Sequence, residues 1–245
     1  MKKLLVLSVS MSVLFATVNG QGIKGLLDKA SKLQKSTSSK TGAGLSNDDI
    51  VSGLKDALRV GTDSSVNKLA KVDGFFGDAA VKILMPKEAQ KAEKTLRNLG
   101  MGSLVDKAIL SMNRAAEDAT KGVGDIFWNS IKQMSISDGL QILQGGDSAA
   151  TVYLRKTTTA QLTEKFRPVI DSSLKKVDAT KYWKDVFTAY NKLPLGSPIN
   201  TDLTGYVTDK ALAGLFYNIA LQEQKIRKDP AAQVTDILKK VFGGK

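Results

Sequence analysis

The chain contains no cysteine and no histidine. Without cysteine there are no disulfides, no thiolate nucleophile and no lipid attachment through an N-terminal cysteine. Without histidine there is no Ser-His-Asp triad, no imidazole base and almost no route to a zinc site. Acidic residues never fall in the D-x-D-x-D spacing of a calcium loop. Gly145-Gly146-Asp147 lacks the preceding strand and the following Gly-Lys of a phosphate loop. No run alternates apolar and polar residues with period two, so strands are not expected.

What is present describes a globular helical chain. Its 245 residues are 42% hydrophobic and 24% charged, enough to bury a core without staples. Net charge is +12, but the excess is diffuse. Residues 21–45 carry five lysines against Asp28, whereas residues 46–80 carry four basic and six acidic side chains. A diffuse excess favours solubility over a nucleic-acid footprint.

Met1–Gly20 has the build of a secretory signal: Lys2 and Lys3, the apolar run Leu4–Ala16, then small residues up to Gly20. Export, most simply to a periplasm, is therefore expected. Residues 21–45 form a leader. Gly22–Lys35 reads as a short basic amphipathic helix, with peripheral contact to an anionic membrane as the alternative. Ser36–Leu45 reads as a Ser/Thr/Gly linker.

Residues 46–245 are expected to form one all-α domain of eight to ten helices, bundle-like and without a sheet. Ser46 with Asp49, and Ser135 with Asp138, make capping boxes. Gly61 is expected to weaken or bend the first helix. Ala79–Met85 reads as a short apolar helix, and Pro86 as the first position of a peripheral helix, Lys87–Leu99. Asp147 is expected to cap the next helix, Thr157–Thr159 to interrupt it, and Pro168 to kink its continuation. Asp178 is expected to cap Ala179–Lys192, and Asp202 to cap a long helix through Lys228. Asp229-Pro230 would then start a last helix, ending at Gly243.

The organising element is expected to be Gly102–Met134. Val105, Ile109, Met112, Ala116, Ala119, Val123 and Ile126 keep to one side of a single long helix. Asn113, Arg114 and Glu117 interrupt it as a polar patch. We read them as surface polarity with an i, i+3 ion pair between Arg114 and Glu117, the alternative being a polar pocket.

Seven segments also carry a likeness: LSNDDIVSGLKDALRVGT, DGFFGDAAVKILMPKEAQKAEKTLRNLG, AILSMNRAAEDA, LQGGDSAATVYLR, LTEKFRPVIDSSLKKV, KYWKDVFTAYNKLP and DLTGYVTDKALAGLFYNIALQE. Together, over about Leu45–Gly243, they resemble the bacterial family called domain of unknown function 4197. The resemblance implies an exported helical protein and brings no catalytic or binding residues with it. Some relatives resemble lipoproteins, with a cysteine after the signal; this chain has none.

Three functions follow as expectations. The first is a non-enzymatic exported binding or interaction protein, without cofactor. The second is a carrier of an apolar ligand or lipid, with Trp128, Tyr153, Tyr182, Trp183, Phe216 and Tyr217 as candidate cavity aromatics. The third is a serine–lysine hydrolase, from the S-x-x-K spacings Ser65–Lys68, Ser172–Lys175 and Ser173–Lys176. A filled core with an exposed apolar patch would favour the first, an apolar cavity the second, and a desolvated lysine beside a serine the third.

Overall fold

The computed structural model describes residues 46–180, 183–184, 202–229 and 239. It is all-α, with seven α-helices and no strand among the described residues. They are α1 (Asn47–Leu69), α2 (Gln90–Asn98), α3 (Gly102–Thr120), α4 (Gly124–Gln133), α5 (Ile136–Gln144), α6 (Ala149–Lys175) and α7 (Leu203–Lys228). The signal, the leader, Tyr182, most of the helix expected at Ala179–Lys192 and most of the last helix lie outside the described residues.

Helix starts follow local chemistry. Ser46 accepts the Asp49 N–H at 3.1 Å while the Asp49 carboxylate accepts the Ser46 N–H at 3.2 Å. Ser135 and Asp138 repeat the arrangement at 3.1 and 3.0 Å. Each box satisfies two donors that the first helical turn leaves open. Asp202 caps α7 by accepting the Gly205 N–H at 2.8 Å.

Several expected boundaries are corrected. The strut is two helices, because α3 ends at Thr120 and Gly122 takes φ +73° before α4 begins. A left-handed residue just past a helix end satisfies terminal carbonyls and re-aims the chain, and glycine does so without strain. Ala79–Met85 is not a helix; with its neighbours it forms an irregular strap, residues 71–86, that leads into a 3₁₀ turn at Lys87–Ala89. Helix α1 runs through Gly61 to Leu69. Gly61 is buried where α7 approaches: a Cβ there would meet Gln222 at 3.4 Å.

Helix α6 runs without a break through Thr157–Thr159 and through Pro168. Thr157, Thr158, Thr159 and Thr163 each give a hydroxyl hydrogen to the carbonyl four residues back, at 2.6–2.9 Å. Threonine in a helix is thereby satisfied locally instead of competing with the ladder. Pro168 and Glu164, whose carbonyl loses its partner, are both exposed, so water can serve the orphan. Asp147 does not cap α6 but pairs with Lys228. The α6 N-terminus is capped from α7: Glu223 accepts the Ala150 and Thr151 N–H groups at 2.9 and 2.8 Å.

The buried residues of α6 recur at Ala150, Leu154, Thr158, Leu162, Phe166, Ile170 and Leu174. Each step of four overshoots a 3.6-residue turn by about 40°, so the stripe winds around the helix. That winding suits an element packed against α7, α3, α4 and α5 in turn. The centre of the fold is therefore α6 with α7, not the expected strut. Helix α2 stays peripheral and buries no residue fully.

Candidate functional site

The strap has no helical ladder, so its backbone groups need other partners wherever it is buried. It drives Phe75, Val81 and Ile83 into the core. Helix α3 supplies the partners. Asn113, fully buried, accepts the Ile83 N–H at 2.8 Å and donates to the Ile83 carbonyl at 2.8 Å. It also donates to the Ile109 carbonyl at 2.7 Å. Glu117, only 3% exposed, accepts the N–H groups of Phe75 and Phe76 at 3.1 and 3.2 Å.

Arg114 completes this latch. Its guanidinium donates to Glu117 at 2.6 Å and to Asp73, a residue at φ +64°, at 2.7 Å. Those two carboxylates hold the Arg114 guanidinium above its ordinary pKa. The i, i+3 pair is thus present, but Asn113 and Glu117 are not surface residues. The patch faces inward because the strap, not solvent, lies against it.

Beside the latch, α2, α3 and the C-terminal end of α6 enclose a half-open groove of about 610 Å³. Leu96, Leu104, Leu110, Val177, Trp183 and Leu203 give it an apolar lining. Lys107, Arg114, Asp118, Ser173 and Lys176 also line it. Asp118 pairs with Lys121 at 2.7 Å, and no described carboxylate pairs with Lys107 or Lys176.

Met85 and Trp183 form a wall shared with a second, more polar pocket of about 680 Å³. Trp183 stacks on Tyr206 with ring centroids 6.5 Å apart and planes at 15°. The Tyr206 hydroxyl donates to the Leu84 carbonyl at 2.7 Å. Burial, with Glu88 nearby, pushes the Tyr206 pKa up to about 12. Lys82, Lys87 and Lys210 surround this pocket against Glu88 alone.

Of the aromatics singled out from sequence, Trp183 lines both pockets. Phe216 is buried edge-on to Phe127, Trp128 and Tyr153 are half-buried against the core, and Tyr217 is exposed. Lys82, Met85, Lys87 and Lys210 carried no signal as single residues. A detectable one was the second apolar line on α3, Leu104, Ala108 and Ala115, offset from the buried line Val105, Ile109, Met112 and Ala116. A helix apolar on two sides has more to cover than one neighbour.

Within the serine–lysine spacings, Ser65, Lys68, Ser173 and Lys175 make contacts elsewhere. Ser65 gives its hydrogen to the Gly61 carbonyl at 2.9 Å, and Lys68 donates to Asp78 at 2.7 Å and Asn218 at 2.9 Å. That bond with Lys68 holds the Asp78 carboxyl below its usual range. Lys175 pairs with Asp171 at 2.7 Å, and Ser173 lies 3.5 Å from Asp118. Among the described residues no group of three or more carboxylates is placed to hold a metal ion.

The family described as protein of unknown function DUF4197 matches residues 44–243. The chain belongs to this family. No curated protein and no solved structure shows significant similarity to it. The matched DUF4197 region takes in the strap, the latch and every residue that lines the groove. None of the described helices is long and apolar enough to cross a membrane.

Proposed function

We propose that this DUF4197 protein is exported and acts as a non-enzymatic binding protein, holding an apolar ligand in the groove between α2, α3 and the end of α6. The observation that carries the reading is the groove: about 610 Å³, half-open and mostly apolar in its lining. Sites for small ligands are concave, largely apolar and roughly 300–1,000 Å³ in volume, with a few polar groups at fixed places. Filling such a space removes apolar surface from water on both partners, at about 25 cal/mol per Å². Export is supported by the charge and hydropathy pattern of Met1–Gly20.

A second reading has an observation of its own. Leu99, Met101 and Leu104 are 70%, 43% and 42% exposed at the corner between α2 and α3. A partner protein laying an apolar helix along the groove would cover them.

The test is purification of the protein from its own envelope, followed by mass spectrometry of everything that accompanies it. The expected result is a near-stoichiometric apolar small molecule, lost when Ala108→Trp plugs the groove. Stoichiometric co-purification of a protein, lost in the same variant, supports the second reading. Neither accompanying species, from wild type or variant, overturns both. N-terminal sequencing of the same material tests export, with a mature chain beginning at Gln21 expected.

A further inference from the structure

We infer that the ligand is an anionic single-chain amphiphile whose tail lies in the apolar groove and whose head group sits among Lys82, Lys87 and Lys210. This rests on the reading of the groove as a ligand site. The two pockets share Met85 and Trp183 and so adjoin, and a ligand laid over these two side chains would reach both. Their linings differ in kind, largely apolar on one side and basic on the other.

Charge complementarity selects the head group. Three lysines face one glutamate, Glu88, and none of the three forms an ion pair with a described carboxylate. Two of the ammonium groups are held against aromatic faces instead. Lys82 sits 3.8 Å from the Phe76 ring centroid and Lys210 sits 5.7 Å from that of Tyr206. A ring face positions a cation without neutralising it. The pocket therefore presents fixed positive charge in want of a counter-charge, beside a space that takes hydrocarbon. A neutral lipid would satisfy the groove and leave that charge unanswered. A free phosphate would answer the charge and leave the groove empty.

Isothermal titration of the purified protein with palmitate, lysophosphatidylglycerol, monopalmitoylglycerol and inorganic phosphate separates these cases. The two anionic amphiphiles are expected to bind at least about tenfold more tightly than the neutral one, the order given by three partly exposed charge pairs. That margin should shrink with salt and vanish in the triple variant Lys82→Gln, Lys87→Gln, Lys210→Gln, in which the anionic amphiphiles bind no more tightly than monopalmitoylglycerol. Equal affinity for neutral and anionic amphiphiles in the unsubstituted protein overturns the inference and leaves the groove reading intact. Failure of all three amphiphiles to bind overturns both. Phosphate bound alone, as tightly in Ala108→Trp as in the wild type, makes the basic pocket a separate anion site and overturns the inference. A dimer abolished by Ala108→Trp makes a second copy the occupant and overturns both.

Discussion

Removing the Glu117 carboxylate strands three donors at once: the N–H groups of Phe75 and Phe76 and one arm of Arg114. Two of these sit where the strap enters the core, so water cannot readily replace the lost acceptor. Each buried N–H left without an acceptor costs about 1–3 kcal/mol, while Arg114, partly exposed, keeps Asp73. Glu117→Ala should therefore lower the urea midpoint by far more than Glu117→Gln, which keeps one acceptor oxygen for the strap. Asn113→Ala removes both bonds to Ile83 and should cost about 2–3 kcal/mol, from unsatisfied groups on a buried peptide. Wild-type midpoints in both alanine variants would show that water replaces the latch. The sequence marked these residues as polar among alanines but did not reveal which way they faced. Their partner is a strap, residues 71–86, part of which, Ala79–Met85, carries helix-like hydropathy, and hydropathy does not say whether a segment will spend its hydrogen bonds on itself.

At the scale of the element, local signals were readable where the answer is local. Ser46 with Asp49 and Ser135 with Asp138 make their boxes because both partners lie within one turn. Where the partner is distant the same reasoning erred. Asp147 looks like a cap, yet Glu223 from α7 takes the α6 N-terminus and leaves Asp147 to Lys228. Gly122 ends α3 inside an apolar periodicity that continues through Val123, since a buried stripe can outlast the helix that began it. Pro168 is the opposite case, a proline inside an unbroken helix. Leu162, Phe166, Ile170 and Leu174 on either side of it are fully buried, so packing holds the helix across the missing bond. Pro168→Ala should restore that bond and relieve the clash with Glu164. Helix propensity favours the change by about 3 kcal/mol, offset in part by the freer unfolded chain. A net gain of about 1–2 kcal/mol by urea unfolding is expected. A loss would mean that the proline ring makes packing contacts that matter.

At the scale of the whole molecule, the absent residues shape the response to pH. With no histidine and no cysteine, no side chain has an ordinary pKa between about 4.3 and 10. Folding stability should then be nearly flat across neutral pH, since its slope follows the difference in bound protons between unfolded and folded states. The acid edge is set by depressed carboxylates. Asp78 is lowered chiefly by the hydrogen bond from Lys68, Asp138 by Ser135, Asp147 by Lys228 and Asp202 by the Gly205 N–H. A group whose folded pKa is depressed contributes stability above its unfolded value. That contribution is lost as pH falls from the unfolded value, 3.8 for aspartate, through the lower folded one. The alkaline edge has the opposite sign. Tyr206 rises from 10.0 to about 12 because burial disfavours the phenolate. Its contribution is complete below pH 10.0 and is lost as pH climbs through about 12. Urea midpoints should therefore hold a plateau from about pH 6 to 9, fall in acid, and fall again in alkali. Tyr206→Phe has no phenol to ionise, so it should soften the alkaline fall while costing about 1 kcal/mol on the plateau for the lost bond to Leu84. Tyrosinate absorbance should lose a late-titrating phenol in the variant, while Tyr153, which burial also raises, stays in both proteins. An unchanged alkaline limb in Tyr206→Phe would place the sensitive group elsewhere, because the wall between the two pockets would then survive ionisation of the tyrosine stacked on Trp183.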